Sequence, residues 1–385
     1  MARDVMTVDA RISDHLAGAT GTITIDLGRI AANWKALADK VAPARCGAVV
    51  KANAYGLGAD RVIPALYRAG CTAFFIATPA EAEAARLLAP DADIYALDGL
   101  VGNAAQIFVR HNIHPVLSTL DDVAAWSLAA RNHGDALPAA LHIDTGLNRL
   151  GLPSRDVRRL AADPALLSGI RVELVMSHLA SADVPNDPKN REQLVAFGTL
   201  SALFPNVPKS LAASDGLMLG PAYHFEIVRP GYALYGGQAS AADTAPVAPA
   251  VTVAARILAV TAIAPGETVG YSATWQAERA SRIATIAAGY ADGIPRSAGC
   301  SNGETGGHVI IGGHRAPIVG RISMDLITVD VTDLPIDAAK PGAFATLVGN
   351  GLTIEDQGFA AGTIGYEILT RLGPRFTRLY IDERT

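Results

Sequence analysis

Between residues 47 and 229 the chain alternates short, unbroken apolar runs with longer stretches whose apolar residues recur every three or four positions. The runs fall at 47–52, 73–77, 93–97, 114–118, 139–144, 173–178, 210–214 and 225–229. Between them lie segments such as DRVIPALYRAG, AEAEAARLLA, NAAQIFVRHN, DDVAAWSLAARN and REQLVAFGTLSALF, with the spacing of amphipathic helices. A strand that is apolar throughout is buried on both faces, the condition of a parallel sheet covered by helices. Eight such strands predict an α/β fold, a (β/α)8 TIM-like barrel of the usual length. A doubly wound sheet also alternates, but it stops at fewer strands, and no GxGxxG follows the first run.

Outside that region the rhythm differs. GTITIDLGR (21–29) alternates as a strand, and a helix is expected from about Ile30 to Val41. Residues 236–250, GGQASAADTAPVAPA, read as a linker rich in Gly, Ala and Pro. Beyond them VTVAARILAVTAI, SRIATIAAGYA, GHVIIGGH, APIVGRI, LITVDVTD and AFATLVG are short strands parted by turns such as PGE and GGH. Helical pattern returns only at about Glu355–Leu372. The expectation is a barrel domain over 1–240 and a mainly β C-terminal domain over 241–385.

Composition narrows the classes. Half of the 385 residues are hydrophobic and 18% are charged, a well-buried globular chain. A net charge of −5 leaves no basic footprint for nucleic acid. No stretch approaches the roughly 18 apolar residues of a membrane span. The first twenty residues lack the apolar core of a signal peptide. Cys46, Cys71 and Cys300 are odd in number and scattered, with neither metal spacing nor a disulfide framework. A cytoplasmic setting is expected, with no metal, no nucleic acid and no membrane.

Residues 46–60, CGAVVKANAYGLGAD, place one lysine at the end of the first barrel run. Burial disfavours the charged ammonium, so Lys51 is a candidate Schiff-base amine. Barrel chemistry sits at the C-terminal ends of the strands. Arg149, His178, Ser214 and Arg229 fall at those ends after the fifth, sixth, seventh and eighth runs. Barrels often hold phosphate after strands seven and eight, here ASDG (213–216) and RPGY (229–232). Small residues there let backbone N–H groups approach an anion. Taken singly these signals are weak. A lysine can merely end a strand, Ser-Asp-Gly is an ordinary turn, and a lone histidine is more often a satisfied core residue.

Taken in order, they resemble a family. CGAVVKANAYGLGAD, HIDTGLNRLG (142–151), MSHLASAD (176–183), IVRPGYALYG (227–236), VGYSATW (269–275), AAGYADGIPR (287–296), IVGRISMD (318–325) and GYE (365–367) resemble the motifs of the alanine racemases. These are pyridoxal phosphate (PLP) enzymes built on a barrel. The resemblance implies interconversion of L- and D-alanine by a two-base mechanism, with Lys51 on one face and Tyr271 on the other. It implies that Ser214, Gly231 and the Tyr232 N–H hold the phosphate, with Tyr55 beside them. Arg229 would face the pyridine nitrogen, within a hydrogen-bond chain Tyr271–His178–Arg229. Arg149 would lie near the cofactor's phenolic oxygen and, with the Met324 N–H, would hold the substrate carboxylate. Tyr290 and Tyr366 would narrow the entrance, with Asp183, Arg296 and Arg321 further out. Tyr271, Tyr290 and Met324 would reach the other subunit of a homodimer.

Three positions depart from the common pattern. His142 stands where the family often has a carbamylated lysine, Ala213 where Asn is common, and Ser323 where Cys is common. Histidine forms no stable carbamate, so a neutral His142 is expected. Arg149 must then find an anion in a carboxylate, a chloride or the cofactor's phenolic oxygen. Two further readings stay open. One is a racemase accepting serine and other small amino acids; the other is a non-catalytic PLP-binding barrel, against which the β domain carrying Tyr271 counts. A barrel decarboxylase would need an acid in place of Arg229.

Overall fold

In the computed structural model, strand β1 (Gly21–Asp26) runs into helix α1 (Leu27–Val41). The barrel then begins with β2 (Arg45–Cys46) and β3 (Ala48–Val49), one extended segment interrupted at Gly47. A Cβ on Gly47 would lie 2.8 Å from the Phe75 ring, so only glycine passes there. The structure describes residues 18–238, 246–304 and 306–382. They form two units, one of the described residues between Ile30 and Ala248, the other of residues 18–29 together with those described from Pro249 onward.

The first unit is a closed parallel barrel. From β3 the sheet continues in order through β4 (Ala73–Ile76), β5 (Asp93–Ala96), β6 (His114–Leu117), β7 (Leu137–His142), β8 (Ile170–Met176) and β9 (Lys209–Ser210). β10 (Ile227–Val228) closes the ring, pairing in parallel with β2. The Gly47 N–H donates to Val228 O at 2.9 Å and the Val49 N–H to Pro230 O at 2.8 Å. On its other side β10 meets the extension of β9 through an Ala213–Arg229 bridge. With β2 and β3 as one strand, eight strands stand where the apolar runs predict them.

Helices cover the barrel: α2 (Ala59–Arg68), α3 (Pro79–Leu88), α4 (Ala104–His111), α5 (Leu120–His133), α6 (Ser154–Ala162) and α7 (Pro188–Ser201). Their starts are locally encoded. Thr78 and Glu81 form a capping box with Pro79 in the first turn of α3, and Thr119 and Asp122 form another at α5. α2 buries Val62, Ile63, Ala65 and Leu66. Trp126 of α5 is fully buried, and its indole N–H donates to Pro138 O at 3.2 Å. Truncating it to Ala would cost about 3–5 kcal/mol. No helix among the described residues is long and apolar enough to cross a membrane.

The second unit is mainly β. Its sheet runs β16 (His314–Pro317), β15 (His308–Ile311), β18 (Phe344–Val348), β11 (Val251–Ile263), β1 and β19 (Thr377–Ile381). β14 (Ser281–Ile286) and β17 (Ile327–Asp330) extend from β11. Two hairpin strands, β12 (Thr268–Val269) and β13 (Trp275–Gln276), and two helices, α8 (Ile354–Ala360) and α9 (Gly365–Arg371), complete it. β1, grouped by sequence with the barrel, lies here instead: it pairs antiparallel with β11 and parallel with β19. Its alternation explains this. A strand with one apolar face suits a sheet with one wet side, whereas barrel strands are apolar on both. The expected boundary at 240 falls on residues outside those described.

Candidate active site

Lys51 follows the buried Val49 and Val50 and begins a left-handed turn. Ala52, Asn53, Ala54 and Tyr55 all have φ between 51° and 56°. For non-glycine residues this region costs roughly 1–2 kcal/mol each, so other contacts must hold the turn. The Asn53 N–H donates to Glu81 Oε1 at 3.2 Å, and Asn53 Oδ1 accepts from the Ala59 N–H at 2.8 Å. Glu81 Oε2 also accepts from the Ala77 and Thr78 N–H groups, both at 3.3 Å. The Lys51 ammonium pKa is lowered, first by burial and then by the Arg149 charge, with Asp98 and Glu81 opposing. The turn thus presents, exposed at its start, a lysine whose ammonium is less favoured than that of a free lysine.

The other end of the turn packs on the segments that follow β9 and β10. Tyr55 is buried, 5.0 Å from the Tyr235 ring centroid, and Tyr235 donates its hydroxyl to Val49 O at 3.2 Å. A Cβ on Gly231 would lie 2.3 Å from Tyr55 Oη, so this strand end must be glycine. Burial, then Asp215, pushes the Tyr55 phenol above the usual tyrosine range. Ser214 is buried, and its Oγ accepts the N–H groups of Gly231 at 3.0 Å and Ala233 at 3.2 Å. Tyr232 is buried between them in sequence. Converging N–H groups, a hydroxyl and no room for a side chain make a cradle that fits a phosphate.

Arg229 is 3% exposed. One terminal nitrogen donates to Ser210 Oγ at 2.5 Å and the other to Ser177 O at 2.6 Å and Leu211 O at 3.4 Å. No carboxylate pairs with it among the described residues. Burial alone lowers its pKa, to about 10, which still leaves it charged near neutrality. The expected hydrogen bond to His178 is not made among the described residues: the bonds of Arg229 go to Ser210 Oγ and to the Ser177 and Leu211 carbonyls. His178 feels Arg229 as a charge: burial, then Arg229, Arg149, Lys51 and His142, hold its pKa down to about 3. It is therefore neutral. His142 is buried in β7, its Nδ1 3.3 Å from Ser118 Oγ. Burial, then Arg229, hold its pKa near about 4, with Asp144 opposing and Arg149 the smallest contributor.

Arg149 is exposed at the end of a loop organised by Asp144. Asp144 Oδ1 accepts from the N–H groups of Gly146, Leu147 and Asn148 at 2.9, 3.1 and 3.1 Å. Gln193, fully buried in α7, ties this loop to the next. It donates to Thr145 Oγ1 at 3.2 Å and His178 O at 2.9 Å, and accepts from the Ala180 N–H at 2.8 Å. Asp183 is exposed. Glu81, Gln193, Ser177 and Ser210 escape a reading from sequence. Their one signal is a polar residue on an apolar face, which is common; only Glu81 also carries the capping-box spacing.

In the second unit the expected residues lie on turns. Tyr271, Met324 and Tyr290 are 70%, 53% and 40% exposed. Arg321 donates to Ser272 Oγ at 3.0 Å, beside Tyr271. The Tyr290 N–H donates to Ser323 O at 3.1 Å and the Ala291 N–H to Met324 O at 3.0 Å. A Cβ on Gly289 would approach Met324 O to 2.3 Å, so the two turns meet backbone to backbone. Ser323 closes its own turn: its Oγ donates to Leu326 O at 3.0 Å and accepts from the Leu326 N–H at 3.2 Å. Tyr366 lies half-buried in α9, and Arg296 is exposed.

A parallel barrel that pairs a lysine of lowered pKa with an anion cradle, and buries an arginine at the end of its last strand, defines an enzyme built to carry pyridoxal phosphate. Comparison narrows the class. The alanine racemase N-terminal domain matches residues 25–239 and the C-terminal domain residues 250–380. The chain belongs to the alanine racemase family. It is 48% identical over 360 residues to an alanine racemase of Methylobacterium sp. strain 4-46, covering 94% of this chain and 97% of the relative. It is 43% identical over 376 residues to a biosynthetic alanine racemase of Agrobacterium fabrum, with 96% of each covered. It is also similar to the crystal structure of Bartonella henselae alanine racemase with covalently bound pyridoxal phosphate. That likeness has a TM-score of 0.89 at 38% identity, covering 94% of this chain and 100% of the other.

Proposed function

We infer that the protein interconverts L- and D-alanine using pyridoxal phosphate carried on Lys51. The observation that supports this best is the left-handed turn. One short segment places Lys51 at one end and Tyr55, packed on the Gly231–Ser214 cradle, at the other. A ligand with an aldehyde at one end and a phosphate at the other suits that spacing. When bound, pyridoxal phosphate supplies an electron sink that acidifies the substrate Cα–H. Ser214, Gly231 and Tyr232 would hold its phosphate, with the Tyr55 ring alongside. Arg229 would face the pyridine nitrogen and, unable to take up a proton there, would keep the sink weak and suppress side reactions.

The proton chemistry needs one group on each face. Lys51, with its lowered pKa, takes or returns the Cα proton on one face, and Tyr271 does so on the other. A free phenol has a pKa of about 10, so Tyr271 needs a neutral acceptor such as His178 nearby. Arg149 and the Met324 N–H orient the substrate carboxylate, and Tyr290 and Tyr366 limit the side chain to a methyl or little more. The exposure of Tyr271, Tyr290 and Met324 supports a homodimer in which each β unit completes the partner's site. Three unpaired, buried cysteines suit a cytoplasmic enzyme.

The test is direct. The purified protein should be yellow, borohydride should fix the cofactor to Lys51, and L-alanine should lose optical rotation as D-amino-acid oxidase detects the product. Labelling at another lysine, or no turnover of alanine by the yellow protein, would overturn the reading. A panel with serine would separate alanine from broader specificity.

A further inference from the structure

Arg375, just before β19, is held by two carboxylates. Its Nε and one terminal nitrogen donate to Asp292 Oδ1 and Oδ2, each at 2.7 Å, in a bidentate fork. Its other terminal nitrogen donates to Asp325 Oδ1 at 2.7 Å. Asp292 is 5% exposed and also accepts the Gly289 N–H at 2.8 Å. It belongs to the turn that carries Tyr290, while Asp325 follows Met324. The Met324 carbonyl is held by the Ala291 N–H, yet the Met324 N–H has no acceptor among the described residues. A turn pinned on both flanks therefore presents one open donor.

We propose that Arg375 is a positioning residue for the substrate carboxylate: by holding Asp292 and Asp325 together it fixes the distance between the Tyr290 ring and the open Met324 N–H. This rests on the racemase reading above. Asp292 is the buried anchor and Asp325 the exposed strut. Releasing the strut leaves the fold intact but lets the 323–326 turn move, so a carboxylate loses a well-aimed donor. Loss of such binding weakens ground state and transition state alike, which raises KM without lowering kcat. Both enantiomers share the carboxylate, so both should suffer equally.

Asp325→Asn tests this in the holoenzyme. KM for L- and D-alanine should each rise about three- to fivefold, with kcat within about twofold. The inhibition constant of propionate, a carboxylate without the amino group, should rise by the same factor. Cofactor absorbance and Tm should be unchanged, and deuterium uptake over residues 321–327 should quicken by about threefold or more. Arg375→Lys, which keeps one charge but not the fork, should raise KM further and lower Tm by exposing the need of the buried Asp292. If Arg375→Lys does not fold, Asp325→Asn decides. An unchanged KM and propionate constant in Asp325→Asn, or a lowered Tm with KM unmoved, would overturn the proposal. Absence of racemisation by the unmodified enzyme would instead sink the functional reading.

Discussion

Glu81 accepts the backbone N–H of Asn53 at 3.2 Å, two residues beyond Lys51 and across the barrel rim. That bond joins the first turn of α3 to the strained segment that presents the lysine. Glu81→Ala should cost about 1–2 kcal/mol, a lost cap plus a lost clamp on left-handed residues. Cofactor affinity should fall by about tenfold, the equivalent of roughly 1.4 kcal/mol. Thermal unfolding and cofactor titration would check both, and unchanged affinity would show that the turn holds itself.

Arg229→Glu replaces a cation that cannot accept a proton with an acid that keeps the pyridine nitrogen protonated. The expected result is a new long-wavelength absorbance in the presence of alanine, slower racemisation and more transamination. An unchanged spectrum and rate would place Arg229 away from the ring.

Tyr271→Phe should nearly abolish racemisation, with a loss of about a hundredfold or more, while leaving cofactor bound and Lys51-face proton exchange slow but measurable. Mixing inactive Lys51→Ala and Tyr271→Phe subunits should restore some activity. No restoration after verified subunit exchange would count against sites shared between copies.

His142 sits against Ser118 as a neutral ring, where a carbamylated lysine would have placed an anion for Arg149. Activity should therefore be indifferent to degassing and to added bicarbonate. Recovery of lost activity on adding bicarbonate would defeat this account.

Two buried histidines, His114 and His142, have pKa values lowered to about 4, in each case first by burial. Asp93 and Glu173 oppose the shift at His114, while Arg86 and Arg171 add to it. A histidine depressed in the folded state gives way to protonation of the unfolded chain. Stability should thus fall as pH drops from about 6.5 toward about 4. At pH 5 the loss approaches about 2 kcal/mol per histidine. His178, held down to about 3, adds a like share. Thermal scans of holoenzyme at pH 7 and pH 5 measure the sum, and His114→Phe should remove about a third of it.

Much of this was readable in the chain. The eight barrel runs stand out because both faces are buried, and Lys51, Ser214 and Arg229 lie at strand ends where barrel chemistry belongs. The left-handed turn was not readable. Ala52 and Ala54 are good helix formers, and what overrides them is remote: Glu81 from α3 and the Tyr55–Gly231 contact. Nor could the partner of β1 be read, since alternation marks a strand without saying which sheet takes it. The acceptors of Arg229 were hidden for a similar reason. Ser177, Ser210 and the Leu211 carbonyl come from β8, β9 and their extensions, and only the closed ring brings them together.

β1 pairs with β19 in parallel, Thr22 opposite Thr377. The earliest described strand therefore has no neighbour on that side until the final strand has been synthesised. The barrel strands are all present once Val228 has emerged, so that unit can close while the ribosome is still at work. β1 must wait for the rest of translation, with its edge open to other chains. Premature termination ahead of Thr377 would leave β1 with that edge unpaired and a barrel able to fold beside an incomplete sheet.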